Sequence, residues 1–206
     1  MMIKQSASFR MMCQMLRQWR LPLTLGVVCV LVQWAGWSTS LRYERALLTA
    51  APWRLLTAHV AHLGWAHLAL NLTGMFLIWI WCGRAMRTAT WLIAWVWCAF
   101  AIGAGLYLFD AALAWYVGLS GVLHGMLVAG AVAMLPRERH RAWLVLVVVA
   151  AKLAWEQFGG SELPTAQWVG GGVIVDAHLY GTLSGLLYAL SLRVRRTVRP
   201  RTDVAG

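Results

Sequence analysis

Ser120 and His178 are the residues whose chemistry is most distinctive, a hydroxyl among glycines and an imidazole far along the chain. A serine hydroxyl is a weak nucleophile until a neighbouring base takes its proton, and a neutral imidazole held against it can do so. His67 and Asn71 are four residues apart, so on a helix both side chains leave the same face. Two such donors aimed at one pocket are what a developing oxyanion requires. His124, one turn beyond Ser120, either lines such a site or satisfies a backbone carbonyl. His59 and His62 are expected to make structural hydrogen bonds. Lys152 and Glu156 are spaced i, i+4 and read as a mutual ion pair, with Lys152 also able to hold a substrate carboxylate. Asp176 precedes His178 by two residues and on a helix would point elsewhere. No acidic third member is apparent, and a Ser–His dyad is the expectation.

The elements that position these residues follow from the solvent they must tolerate. The chain has 206 residues, 61% of them hydrophobic and only 12% charged. Hydrophobic runs recur along it, each approaching the ~20 residues that cross a bilayer core. The expected fold is all-α: a polytopic membrane protein, with six spans near 21–38, 65–82, 91–109, 117–135, 142–158 and 173–192. The expected divisions are a cytoplasmic basic segment at 1–20, a membrane domain at 21–192 and a cytoplasmic basic tail at 193–206. The apolar run after Arg20 is long for a signal peptide, has no clear small-x-small cleavage site, and reads as a retained span. The link at 39–64 is expected to be structured and interfacial, and the glycine-rich link at 159–172 a flap or a plain loop.

A net charge of +11 raises the possibility of nucleic-acid binding. The distribution of that charge excludes it. Lys4, Arg10, Arg17 and Arg20 precede the first span; Arg84 and Arg87 follow the second; Arg137, Arg139 and Arg141 follow the fourth; Arg193, Arg195, Arg196, Arg199 and Arg201 follow the sixth. Alternate connections are therefore basic, as the positive-inside rule requires when both termini are cytoplasmic. Trp37, Trp53, Trp65, Trp115 and Trp168 mark outer ends, and Trp19, Trp79, Trp81 and Trp143 inner ends. Cys13, Cys29, Cys82 and Cys98 lack metal-ligand spacing, so neither a disulfide framework nor a metal site is expected. In this topology spans two, four and six all run inward, which puts His67, Ser120 and His178 at one level near the outer surface. Gly121, Gly125 and Ala129 recur down span four, and Gly181, Gly185 and Ala189 down span six. Such small-xxx-small faces allow close helix approach and would set the hydroxyl beside the imidazole.

These residues resemble the motifs of rhomboid intramembrane serine proteases. His62 followed by His67-Leu68-Ala69-Leu70-Asn71 is similar to their second-span histidines and His-x-x-x-Asn pattern. Gly118-Leu119-Ser120-Gly121 is similar to their Gly-x-Ser-Gly, and His178-Leu179-Tyr180-Gly181 with Gly185 to their sixth-span His-x-x-Gly-x-x-x-Gly. The resemblance covers about residues 50–190. It implies Ser120 as nucleophile and His178 as base. It also implies that His67, Asn71 and the backbone N–H of Ser120, with Gly118, stabilise the oxyanion. The continuation Ser120-Gly121-Val122-Leu123-His124-Gly125 resembles a compact bacterial subfamily, the rhombosortases. That narrower likeness implies membrane-anchored protein substrates with C-terminal sorting tails: Gly-Gly, a hydrophobic span and a basic end. It also implies a Gram-negative inner membrane with the site toward the periplasm, and no cofactor. The link between spans one and two is shorter than in many rhomboids. The competing expectations are a general rhomboid protease, an inactive rhomboid-like protein that binds membrane clients, and a small transporter. The last is disfavoured because the polar groups leave no continuous path inward.

Overall fold

Apolar sequence of this length forms helices because, in lipid, each backbone polar group must find its partner within its own segment. The computed structural model describes residues 2–159 and 172–198. Six long helices occupy the expected spans: α1 (Met2–Trp34), α4 (Trp65–Cys82), α5 (Thr88–Phe109), α6 (Ser120–Met134), α7 (Arg139–Phe158) and α8 (Val175–Val198). Two short helices, α2 (Ser38–Leu41) and α3 (Arg54–Thr57), lie in the first link. Two segments, Trp65–Ala85 and Thr88–Phe109, are long and apolar enough to cross a membrane by length and composition alone. Leu77, Ile80, Leu108, Val147, Val148, Leu187 and Leu190 are exposed, so the bundle turns apolar side chains outward on most of its helices.

Several boundaries differ from expectation, with physical causes. Helix α1 begins at Met2 rather than at the edge of the apolar run, and carries Pro22 within it. Helix α6 begins at Ser120, not 117, because Gly118 takes φ +131° and breaks the helical path. Its 15 residues rise only about 22 Å at ~1.5 Å each, short of a ~30 Å hydrocarbon core. The shortfall is tolerable because α6 is enclosed by protein: Gly121, Val122, Leu123, Gly125, Met126 and the run Val128–Val132 are all buried. Trp79, expected near the membrane edge, is instead buried, and its Nε1–H donates to Gln18 O at 2.7 Å to tie α4 to α1.

The link between α1 and α4 is structured, as expected. Its strand β1 (Tyr43–Glu44) pairs antiparallel with β2 (Trp115–Tyr116), Tyr43 opposite Tyr116 and Glu44 opposite Trp115. Arg45 donates to Leu106 O at 3.2 Å and Tyr107 O at 2.7 Å, capping the carbonyls that end α5. Arg54 donates to Arg42 O at 2.8 Å within the link itself. The expected flap falls mainly on 160–171, and with it the Trp168 marker; both lie outside the described residues.

Candidate active site

The seam between α6 and α8 is built from glycine. A Cβ on Gly181 would lie 2.0 Å from Gly121 O, and one on Gly185 would lie 2.0 Å from Gly125 O. In the other direction, a Cβ on Gly121 would meet Ala177 O at 2.6 Å, and one on Gly125 would meet Gly181 O at 2.5 Å. The two backbones therefore touch over two turns. Ser120 and His178 sit at one end of that seam, where His178 Nε2 and Ser120 Oγ are 2.9 Å apart.

Other groups fix the imidazole. His178 Nδ1 is 3.0 Å from both carboxylate oxygens of Glu156 on α7. A carboxylate only accepts, so Nδ1 carries the proton and Nε2 presents its lone pair to the serine hydroxyl. Beneath it, His124 stacks on His178 with centroids 4.2 Å apart and planes at 20°. The Nδ1–H of His124 donates to Ser120 O at 2.7 Å. His124 thus does both things that its position allowed: it lines the site and satisfies a carbonyl. Glu156 also pairs with Lys152, as the i, i+4 spacing indicated. The sequence shows no acidic partner for His178, whereas the fold supplies one in Glu156. Its spacing to Lys152 on α7 disclosed only one of the carboxylate's two partners, because the other arrives from a different helix. Asp176 does point elsewhere, toward Gln157 at 3.5 Å. His124, Glu156 and His178 bring potential ligand atoms within 4.8 Å of one another, a spacing that a metal ion could use. In this structure those groups are engaged in the hydrogen bonds just described.

The peptide that presents Ser120 is held from both sides. Gly118 N–H donates to Ala58 O at 3.0 Å, while Gly118 O accepts from Tyr116 Oη at 2.8 Å. His59 spans the same junction, 3.0 Å from Ala99 O and 3.3 Å from Gly118 O. Burial pushes His59 down to about 4, so it is neutral there. Its expected structural role holds. His62 is buried, and among the described residues neither ring nitrogen has a hydrogen bond of ordinary geometry; its ring stands edge-on against His67 at 5.1 Å. Burial takes His62 down to about 3.

His67 lies over Gly118, where a Cβ would be 2.9 Å from its Cε1 and 3.1 Å from its Nε2. Only glycine fits there, both for that contact and for its positive φ. His67 Nδ1 accepts from Leu63 N–H at 3.4 Å, which leaves Nε2 as the donor on the Gly118 side. Asn71 is buried and gives one amide N–H to His67 O at 3.2 Å, within its own helix. The first-turn N–H groups of α6, that of Ser120 among them, have no intrahelical acceptor, and the helix dipole places partial positive charge at that end. A hydroxyl against an acceptor imidazole, at the N-terminus of a helix, is an arrangement able to move a proton and to stabilise an oxyanion.

No curated protein matches the chain. The Rhomboid domain matches residues 49–195, which takes in the second part of the first link with α3, and every element from α4 through most of α8. With that match over most of its length, the chain belongs to the rhomboid family, a helical polytopic membrane fold of intramembrane serine proteases.

Proposed function

We propose that this protein is an endopeptidase that uses Ser120 and His178 to cut C-terminal sorting tails of exported proteins, in the manner of the rhombosortases. The observation that carries the dyad is the 2.9 Å approach of His178 Nε2 to Ser120 Oγ, with Nδ1 already committed to a carboxylate. Ser120 Oγ attacks the scissile carbonyl carbon as its proton passes to His178 Nε2. The carbonyl oxygen becomes an oxyanion, held by His67, Asn71 and the N–H of Ser120 at the Gly118 turn. Collapse breaks the C–N bond, and His178 gives its proton to the leaving amine. Water then attacks the acyl-enzyme as His178 Nε2 takes its proton; the ester C–Oγ bond breaks, His178 returns the proton to Ser120 Oγ, and a new carboxyl terminus is released. The charge pattern supports both termini in the cytoplasm and the site toward the opposite face; the likeness to the rhombosortases is what implies a Gram-negative inner membrane.

The tail specificity rests on the His124-Gly125 continuation after Ser120 and on the confined geometry around it. Glycine lacks Cβ and leaves helix readily, so a Gly-Gly segment lets the backbone approach a serine enclosed on this scale. The test is cleavage in membranes of paired fusions whose tails carry Gly-Gly or Val-Val before the same apolar span and basic end. The Gly-Gly tail should be cut and the Val-Val tail spared; equal cutting of both would leave a general rhomboid protease. Ser120→Ala and His178→Ala should each abolish cleavage while inserting and accumulating normally. A fluorophosphonate should label the wild type and not Ser120→Ala, and wild-type turnover in that variant would remove Ser120 as nucleophile.

A further inference from the structure

We propose that Glu156 is a positioning residue that completes a Ser120–His178–Glu156 triad, a proposal that rests on the dyad described above. Three observations carry it. Both carboxylate oxygens lie 3.0 Å from His178 Nδ1. The Glu156 side chain is fully buried and that of His178 is 5% exposed, so the contact is shielded from solvent. Among the described residues the carboxylate's other partner is Lys152, whose side chain is 41% exposed, so the network leads from the site outward along α7.

The carboxylate has two effects on the reaction. It accepts the Nδ1–H, which selects the tautomer with a lone pair at Nε2; with the other tautomer the imidazole would present a proton to Ser120 and could not act as base. It also faces the imidazolium that forms when Oγ–H is removed. The ion pair with Lys152 is neutral in the resting state, which makes a buried carboxylate tolerable. When the tetrahedral intermediate forms, one new positive charge on His178 is matched by one new negative charge on the oxyanion. The site therefore remains neutral overall throughout, with Glu156 between two cations. His124 adds a stacked face to the same ring.

A purely structural carboxylate would behave differently, and substitutions separate the two. Glu156→Gln keeps shape and an acceptor oxygen but loses the charge and admits the wrong tautomer. Glu156→Asp keeps the charge at a shorter reach. Lys152→Met removes the ion pair and leaves the contact with His178. The full-length protein in lipid vesicles is assayed for kcat and KM on a tail-bearing fusion, for the rate of fluorophosphonate labelling, and for melting temperature. Ser120→Ala serves as the control. We expect Glu156→Gln to lower kcat and the labelling rate about 10²-fold or more, within the ~10⁴-fold seen when an orienting carboxylate is neutralised in a serine triad. KM and melting temperature should stay near wild type. Glu156→Asp should recover part of the rate, and Lys152→Met should cost much less than Glu156→Gln. Wild-type kcat in Glu156→Gln, with Ser120→Ala inactive, would overturn the triad and leave the dyad standing. So would equal losses in Glu156→Gln and Lys152→Met that go with equal falls in melting temperature, which would point to the ion pair as a structural clip. Labelling and cleavage that persist in Ser120→Ala would overturn the dyad, and the triad with it.

Discussion

His67 and Asn71 leave one face of α4, yet different surroundings give them different work. His67 has its Nδ1 occupied by Leu63 N–H and its ring against Gly118, with Nε2 as donor. Asn71 already spends one N–H on His67 O. His67→Ala should therefore lower turnover by ~10²–10³-fold, the usual loss for one such donor, with the larger effect on kcat. Asn71→Ala should cost less in turnover and more in melting temperature, since its side chain is buried. Turnover and thermal melts of the two variants, measured side by side, check the ordering; equal kinetic losses without loss of stability would restore Asn71 to equal rank. Ser120 and His178 were legible because a reactive hydroxyl and an intramembrane imidazole each sit beside a glycine stripe, and the stripes point to one another. Glu156 was not. Its partner on the same helix is written in the spacing, whereas its contact with His178 depends on how closely α7 approaches α8.

At the level of elements, the α6–α8 seam was the most readable packing feature, and its tightness exceeds what spacing conveys. Ala at Gly181 would place a methyl group 2.0 Å from a backbone oxygen that no side-chain rotation can move. Gly181→Ala should destabilise the protein by at least the ~1–3 kcal/mol typical of overpacking and should abolish fluorophosphonate labelling by parting Ser120 from His178. Gly26→Ala in α1 is the matched control, because there the added Cβ would meet side chains at an ordinary 3.5 Å. That substitution should be neutral or slightly stabilising through helix propensity. Melting curves and labelling of both variants decide the matter; an active, stable Gly181→Ala would mean that the helices can part without harm. The first link shows the opposite balance. Its structured character was legible from composition, but the pairing of Tyr43 with Tyr116 and the clasp of Arg45 on the end of α5 join residues more than 60 apart. No local pattern encodes such contacts.

For the whole molecule, the alternation of basic and apolar segments carried most of the fold, and six long helices occupy the expected spans. Their ends were harder to place, because the sequence marks apolarity while a helix stops where backbone geometry or a neighbour stops it. Gly118 ends the approach to α6 by its dihedral angle, and α1 continues through polar residues that composition would exclude. The short α6 has a further consequence, in the mechanics of the surrounding membrane. A helix about 22 Å long, enclosed by its neighbours, has little lipid to match, and its contact with α8 is backbone against backbone. Changes in bilayer thickness act on lipid-facing helices by tilting them or deforming the lipid around them. The load should thus fall on the rim and leave the distance between Ser120 and His178 unaltered. In vesicles of increasing acyl-chain length, fluorophosphonate labelling should hold steady while cleavage of a tail-bearing substrate varies, because only the substrate has to travel through the lipid whose thickness is being changed.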